Sequence, residues 1–314
     1  MISGRRFVFA VFFLCIVWAG GCASVQDRLF VAAVATERSL AGMHESSVAV
    51  GGRGISYLKR EGPGETIVLL HGFGADKDNW PRFVRNLPRD YRVVAFDLPG
   101  HGSSFRDWEE TYTISFMADT LGQAFDALKL ERFHLVGNSM GGWVGTIYTS
   151  RNPDRVMTLA LFDSAGTESP VPSDRQKALE QGRNVLVPET EEEFHELLGY
   201  AFHDKPFIPW PIGSVLARRA VQDAPFKRKI FADVNGARRD VREVLPEVNL
   251  PVLILWGAHD RITHVSAAQV FERYLPKSET VIMQECGHMP MIEKPRETAG
   301  RYVDFLRRHS TGTP

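Results

Sequence analysis

Five consecutive residues, Gly137-Asn138-Ser139-Met140-Gly141, have the form G-x-S-x-G. An apolar, strand-like run at 133–136 precedes them and a helical pattern follows to Arg151. In that context the glycines let the chain turn sharply from strand to helix, and Ser139 stands at the positive end of the helix, where developing negative charge is favoured. A serine hydroxyl is a weak nucleophile until a base takes its proton. Among ten histidines, His288 fits that task, because Cys286-Gly287-His288-Met289-Pro290 follows the last strand-like run and precedes the final helix. His71 and His101 sit beside glycines in loops, His134 lies inside a strand, and His44, His195, His203, His259, His264 and His309 read as surface or loop residues. The base needs a carboxylate to hold its tautomer, and two aspartates compete. Asp163 directly follows one strand-like run, whereas Asp260 follows another and belongs to the same strand-helix-strand unit as His288. That unit brings adjacent strand tips together, so Asp260 is preferred. A tetrahedral intermediate also needs donors for its oxyanion. His71-Gly72-Phe73-Gly74, after a strand at 66–70, aims a backbone N–H into such a site, and the expected donors are the amides of Phe73 and Met140.

The elements that must position these groups follow from the pattern of apolar runs. Buried strands are predicted at 66–70, 92–96, 133–136, 157–162, 252–256 and 280–283. Helices are predicted at 80–86, 115–128, 140–151, 266–275 and 295–308. This alternation specifies an α/β fold: a mostly parallel central sheet with helices on both faces. It breaks once, between 166 and 246, where polar helical patterns at 189–202 and 224–233 replace strands and imply a helical insertion over the strand ends. Residues 46–165 and 247–310 then form the core and 166–246 a cap. Within the cap, Phe202, Phe207, Ile208, Trp210, Pro211 and Ile212 make an apolar cluster. Phe202, Phe207, Trp210 and Ile212 are candidates to line an acyl-chain tunnel, and the same cluster could instead touch a bilayer or seal the cap onto the core.

Composition excludes several classes of function. The 314 residues carry 37 Lys+Arg against 38 Asp+Glu, a net charge of −1, which gives no electrostatic footprint for nucleic acid, and 44% apolar residues exclude a disordered chain. The three cysteines, Cys15, Cys22 and Cys286, are too few for a disulfide framework and match no zinc spacing. No metal or cofactor is expected, and oligomeric state has no signature in the chain. Arg5 and Arg6 precede an apolar run at 7–19 that ends in Gly20-Gly21-Cys22, so residues 1–22 read as a secretory signal or membrane anchor. The end of this segment resembles the lipobox of bacterial lipoproteins, with Ala19 where a leucine is usual, and that resemblance makes Cys22 the lipidation candidate. An uncleaved anchor and ordinary cleaved secretion are the alternatives. Residues 23–45 form a juxtamembrane segment, either an amphipathic helix near the bilayer surface or a plain tether. Both leading readings place the catalytic body outside the cytoplasm, on the periplasmic side and beside a membrane.

From Ser46 to Arg308 the sequence resembles the α/β-hydrolase family, in which the chain order is nucleophile, acid, base, here Ser139, Asp260 and His288. The likeness includes Asp97-Leu98-Pro99-Gly100-His101-Gly102-Ser103-Ser104. It looks most like membrane-associated monoacylglycerol lipases and related bacterial lipases and phospholipases A. That nearer likeness rests on His71-Gly72-Phe73-Gly74 with Lys77-Asp78-Asn79-Trp80, on Gly137-Asn138-Ser139-Met140-Gly141-Gly142, and on Cys286-Gly287-His288 with Glu293 and Pro295. The resemblance implies a helical cap, an acyl-enzyme mechanism, no cofactor and an acyl-lipid substrate met at a membrane. Relatives that cleave carbon-carbon bonds share the elbow but usually carry tryptophan after the catalytic histidine, where this chain has Met289. The alternatives are therefore a hydrolase of small soluble esters or of a diketone, and, from another class, an inactive binding protein on the same fold.

Overall fold

The computed structural model describes residues 23–237 and 240–309. In chain order the elements are α1 (Ala23–Ala41), β1 (His44–Val50), β2 (Arg53–Arg60), β3 (Thr66–Leu70), α2 (Pro81–Val84), β4 (Arg92–Phe96), α3 (Ile114–Ala127), β5 (Phe133–Asn138), α4 (Met140–Arg151), β6 (Val156–Phe162), α5 (Asp174–Glu180), α6 (Glu191–Ala201), α7 (Ile212–Gly236), β7 (Val252–Gly257), α8 (Ala267–Tyr274), β8 (Ser278–Met283), α9 (Pro290–Glu293) and α10 (Pro295–His309). The eight strands form one sheet in the order β1-β2-β4-β3-β5-β6-β7-β8, antiparallel at β1, β2 and β4 and parallel from β4 to β8.

The parallel strands read as unbroken apolar runs because helices cover both faces. Along β3 the side chains alternate between two cores. Val68 and Leu70 join Phe125 of α3, Val144 and Ile147 of α4 and Phe271 of α8. Ile67 and Leu69 join Phe83 of α2 and Tyr302, Phe305 and Leu306 of α10. The six expected strands are present, and residues 66–70 and 92–96 coincide with β3 and β4.

The β1–β2 hairpin was not expected. Gly51 and Gly52 are its two-residue turn, both at positive φ and flanked by the Val50–Arg53 pair. The core therefore begins at His44, two residues before the expected boundary. Helix α7 also extends far beyond 224–233, running from Ile212 through the internal Pro225. Three helices, α5 to α7, separate β6 from β7, with no strand between them among the described residues. Cys22 and the apolar run at 7–19 lie outside the described residues. Among those described, no helix is long and apolar enough to cross a membrane. The segment 23–45, expected beside a membrane, holds the helix α1 and the first residues of β1, and the helix is docked on the body. Arg218 of α7 bonds to Gln26 at 2.7 Å, Arg219 covers the Phe30 ring at 4.3 Å, and Arg38 grips Asp78 with two bonds of 2.5 and 2.6 Å.

Asp97, at the tip of β4, braces the loops that flank the strand ends. Its carboxylate accepts the Lys77 backbone N–H (2.8 Å), the Lys77 ammonium (2.7 Å) and the Ser103 N–H (2.8 Å), and both charged residues are buried. Removing Asp97 leaves the buried Lys77 ammonium with Glu45 alone (2.9 Å) and the Lys77 and Ser103 amides without their acceptor, so Asp97→Ala should lower the unfolding free energy by about 3 kcal/mol. Denaturant titration checks this; a midpoint equal to wild type would disprove the bracing role.

Candidate active site

Ser139 sits between β5 and α4 with φ 52° and ψ −119°, a positive-φ geometry that a non-glycine residue adopts only where its surroundings impose it. Those surroundings are tight. A Cβ on Gly137 would come within 2.4 Å of Gly141, and one on Gly141 within 2.3 Å of the Leu70 carbonyl, so only glycine permits this crossing of strand and helix. The Ser139 N–H donates to the Phe162 carbonyl at 3.0 Å, and the Ser139 carbonyl accepts from Gly142 and Ala165, each at 3.0 Å, which fixes the turn.

The Asp260 carboxylate meets His288 Nδ1 at 2.7 Å, with both residues buried. Its other oxygen accepts the N–H groups of Ile262 (2.7 Å) and Thr263 (2.9 Å), and the Thr263 hydroxyl donates to the histidine-facing oxygen at 2.7 Å. A carboxylate so fully bonded is fixed in place, and it holds the imidazole proton on Nδ1, leaving Nε2 free to accept one. The loop carrying His288 is tied down twice more. The His288 amide donates to the Ala201 carbonyl of α6 at 2.9 Å, and Asn138 Nδ2, one residue before Ser139, donates to the His288 carbonyl at 3.1 Å. Glu293 completes the clamp by accepting the Gly287 N–H at 2.8 Å and the Asp204 N–H of the cap at 2.7 Å. The Ser139 hydroxyl has no hydrogen-bond partner among the described residues. Catalytic contacts of this kind commonly close only around substrate.

Asp163 takes a different part. It follows β6 at φ 48°, accepts the Gly257 N–H at 2.8 Å on one oxygen, and keeps the other buried without a partner. Burial, with the charge of Asp260 added, pushes its carboxyl well above the usual carboxylate range. It is Asp260, therefore, that bonds to the imidazole. Asp163, Asp260 and His288 are the one group among the described residues whose donor atoms, all within 4.8 Å of one another, could hold a cation. There the Asp260–His288 bond already occupies two of the three donors.

The loop expected to supply an oxyanion donor leans on Ser139, since a Cβ on Gly72 would lie 3.1 Å from Ser139 Cβ. His71 holds the loop by accepting the Leu98 N–H on Nε2 (3.0 Å) while Nδ1–H donates to the Gly72 carbonyl (2.7 Å). This ring is neutral, and burial lowers its pKa accordingly. The amides of Phe73 and Met140 donate to no protein acceptor among the described residues, as groups awaiting an anionic oxygen would.

A model of the alpha/beta hydrolase family matches residues 67–301, a span that takes in the oxyanion loop, Ser139, Asp260 and His288. The chain belongs to the alpha/beta hydrolase family. It is 32% identical to monoacylglycerol lipase ABHD6 of Mus musculus over 263 residues, covering 80% of this chain and 78% of the mouse protein. It is 27% identical to Lipase 3 of Moraxella sp. (strain TA144) over 314 residues, covering 97% of this chain and 98% of that lipase. Among solved structures it resembles a bacterial membrane phospholipase A, with 38% identity, a TM-score of 0.90 and coverage of 98% of this chain and all of that one.

In this hydrolase the cap candidates separate. Phe202 is buried with Tyr200 and Ile262 where α6 meets the His288 loop, so it seals cap to core. Phe207 and Trp210 are 87% and 61% exposed and face solvent, not a tunnel, while Ile212 is partly buried at the start of α7. The sequence reading passed over the tethers Thr263 and Asn138. Asn138 lay inside the quoted pentapeptide, and Thr263 three residues beyond Asp260, but nothing in a one-dimensional spacing marks a hydroxyl that will reach a carboxylate across a turn.

Proposed function

We propose that this ester hydrolase cleaves carboxylic esters of acyl lipids through a serine acyl-enzyme while tethered to a membrane. The observation that carries the mechanism is the Asp260–His288 bond beside a serine held at positive φ on a strand-to-helix turn. Ser139 Oγ attacks the ester carbonyl as its proton passes to His288 Nε2, and the carbonyl oxygen becomes an oxyanion facing the amides of Phe73 and Met140. The intermediate collapses as His288 protonates the leaving alcohol. Water, deprotonated by the same imidazole, then releases the fatty acid and restores the serine. Asp260 stabilises the imidazolium at both stages, and no step calls for a cofactor.

Three observations favour lipid over soluble esters. The relatives are a monoacylglycerol lipase, a bacterial lipase and a membrane phospholipase A. The apolar run at 7–19, ending in the lipidation candidate Cys22, supplies a tether to a bilayer on the periplasmic side. The exposed Phe207 and Trp210 lead into α7, the helix whose Arg218 holds the N-terminal turn of α1, so the chain emerging from Cys22 and the bare aromatics adjoin the same helix. Exposed aromatic side chains of this kind suit a membrane interface. The test is a panel presented to the full-length protein: a monoacylglycerol, a lysophospholipid, a diacyl phospholipid and short p-nitrophenyl esters. Fatty-acid release from the lipids should exceed turnover of the short esters. Activity confined to the short esters would disprove the lipid reading and leave the mechanism standing.

A further inference from the structure

Helix α7 lays two side chains, four residues apart and hence on one face, across the oxyanion loop. The Phe231 ring packs edge-on against Phe73, with centroids 5.8 Å apart. Lys227 reaches Gly74, where a Cβ would find Lys227 Cε at 3.7 Å and Nζ at 3.8 Å. The ammonium of Lys227 is thus brought by the cap to the residue following the proposed donor Phe73, on a loop that itself touches Ser139. Among the described residues it has neither an ion pair nor a hydrogen bond, although Lys227 is largely covered. The carboxylates near enough to act on it are engaged elsewhere. Asp223 is gripped by Arg106 through bonds of 2.8 and 3.2 Å, and Asp76 accepts the Asp78 N–H at 2.8 Å. Arg106 adds positive charge, and of the two carboxylates Asp223 is taken up by Arg106, while burial pushes the Asp76 carboxyl up to about 6, so neither bonds to the Lys227 ammonium. Burial draws the Lys227 pKa down, as expected for an ammonium without a bonded counterion. Phe73 also adjoins a second unsatisfied group. The His101 ring packs edge-on against Phe73 at 5.9 Å, donates from Nδ1 to the Pro99 carbonyl at 3.1 Å, and leaves Nε2 buried with no partner.

We infer that Lys227 is a specificity-determining residue that binds a phosphate on the alcohol half of the substrate, so that the enzyme favours phosphate-bearing acyl glycerols over neutral ones. The inference rests on the lipid-ester reading and deepens it. Because the Lys227 side chain lies against the oxyanion loop, an anion bonded to it lies near the ester carbonyl. Glycerol phosphate esters have that arrangement, with phosphate and acyl ester on one three-carbon unit. A monoacylglycerol offers only hydroxyls, which cannot neutralise the ammonium. An ion-assisted hydrogen bond of this kind is shorter and stronger than a neutral one.

The matched substrates 1-oleoylglycerol and 1-oleoylglycerol 3-phosphate differ only by the phosphate. With full-length enzyme in mixed micelles, the ratio of kcat/KM for the phosphate ester to that for the neutral one should fall about ten- to hundredfold in Lys227→Gln. It should recover substantially in Lys227→Arg, and circular dichroism should show both variants folded. Lys227→Met replaces the Gln variant if that one does not fold. A ratio unchanged on removing the charge overturns the inference, including the case in which both substrates slow alike. A parallel arm measures inhibition of p-nitrophenyl butyrate hydrolysis by glycerol 3-phosphate and by inorganic phosphate. Inhibition by glycerol 3-phosphate that weakens at least tenfold without the Lys227 charge supports the site. Equal inhibition by inorganic phosphate, together with no discrimination between the two lipids, reassigns Lys227 to a free anion and overturns the headgroup role. If wild type hydrolyses the butyrate but neither lipid, the lipid reading has failed, and glycerol 3-phosphate inhibition alone decides the phosphate site.

Discussion

Ser139→Ala is expected to lower kcat for ester hydrolysis by a factor on the order of 10⁴ to 10⁶, with His288→Ala close behind and the double variant scarcely worse than either. The effects should not add, because serine and histidine act as one unit: without the base the hydroxyl keeps its proton, and without the hydroxyl the base has nothing to activate. The residual rate then belongs to the oxyanion donors and to substrate binding, which both single variants keep. Folding should be little affected by the serine change. Ser139 makes its structural bonds through backbone groups, the N–H to Phe162 and the carbonyl from Gly142, Trp143 and Ala165, and the alanine retains all four. The positive φ is the one source of strain, and alanine shares it with serine. The assay is p-nitrophenyl butyrate turnover with a melting curve for each variant, accompanied by labelling with an active-site fluorophosphonate. Labelling should vanish in Ser139→Ala. Near-normal turnover by that variant would mean that another residue attacks the ester, and the mechanism proposed here would be wrong.

The parts of the molecule that could be read from the sequence are those whose signal is local. β3 and β4 were legible to the residue because strands buried on both faces are unbroken apolar runs bounded by turn residues. The elbow was legible because its glycines and serine are contiguous in the chain, although the contact that demands Gly141, with the Leu70 carbonyl, is distant in sequence. The hairpin of β1 and β2 was not. β1, with the sequence His-Glu-Ser-Ser-Val-Ala-Val, is a largely exposed edge strand, and a half-polar edge lacks the run that marks a central strand. Nor was the full length of α7, since Pro225 has the signature of a helix end. There the packing of Phe226 and Ile230 into the core overrides the local preference. The site divides along the same line. Ser139 and His288 stand close to glycines that announce them, whereas Thr263 reaches Asp260 across a turn and Asn138 reaches the His288 carbonyl 150 residues away, contacts that no local pattern marks. Phe207 and Trp210 show the converse: an apolar cluster states that hydrophobic side chains exist, but whether they face a tunnel or the outside depends on a loop path that composition does not encode.

The two aspartates beside His288 should respond in opposite ways to the same isosteric change. Asp260→Asn replaces a carboxylate by an amide at the atom that meets His288 Nδ1 at 2.7 Å, removing the charge that stabilises the imidazolium and allowing the wrong tautomer. A loss on the order of 10³ to 10⁴ in kcat is expected. Asp163→Asn should leave kcat within about threefold of wild type, because burial already disfavours the ionised form of that carboxyl, and the asparagine oxygen can still accept the Gly257 N–H. A role for Asp163 as triad acid predicts the reverse order, so the pair of kcat values decides between them, and equal large losses would mean that the two carboxyls work as one unit. Stability supplies an independent reading with a definite sign. A carboxyl whose pKa is raised in the folded state binds its proton more tightly there than in the unfolded chain. Its contribution to stability is fully present below the ordinary aspartate pKa and is lost as pH rises toward the folded value. Asparagine has no such dependence. Asp163→Asn should therefore gain stability relative to wild type as pH rises from about 4, at up to about 1.4 kcal/mol per pH unit. Denaturant titrations of both proteins across pH 4 to 8 measure that gap. A gap that stays constant would mean that Asp163 ionises normally in the folded enzyme, placing a second negative charge beside Asp260 and removing the reason for expecting the asparagine to be harmless.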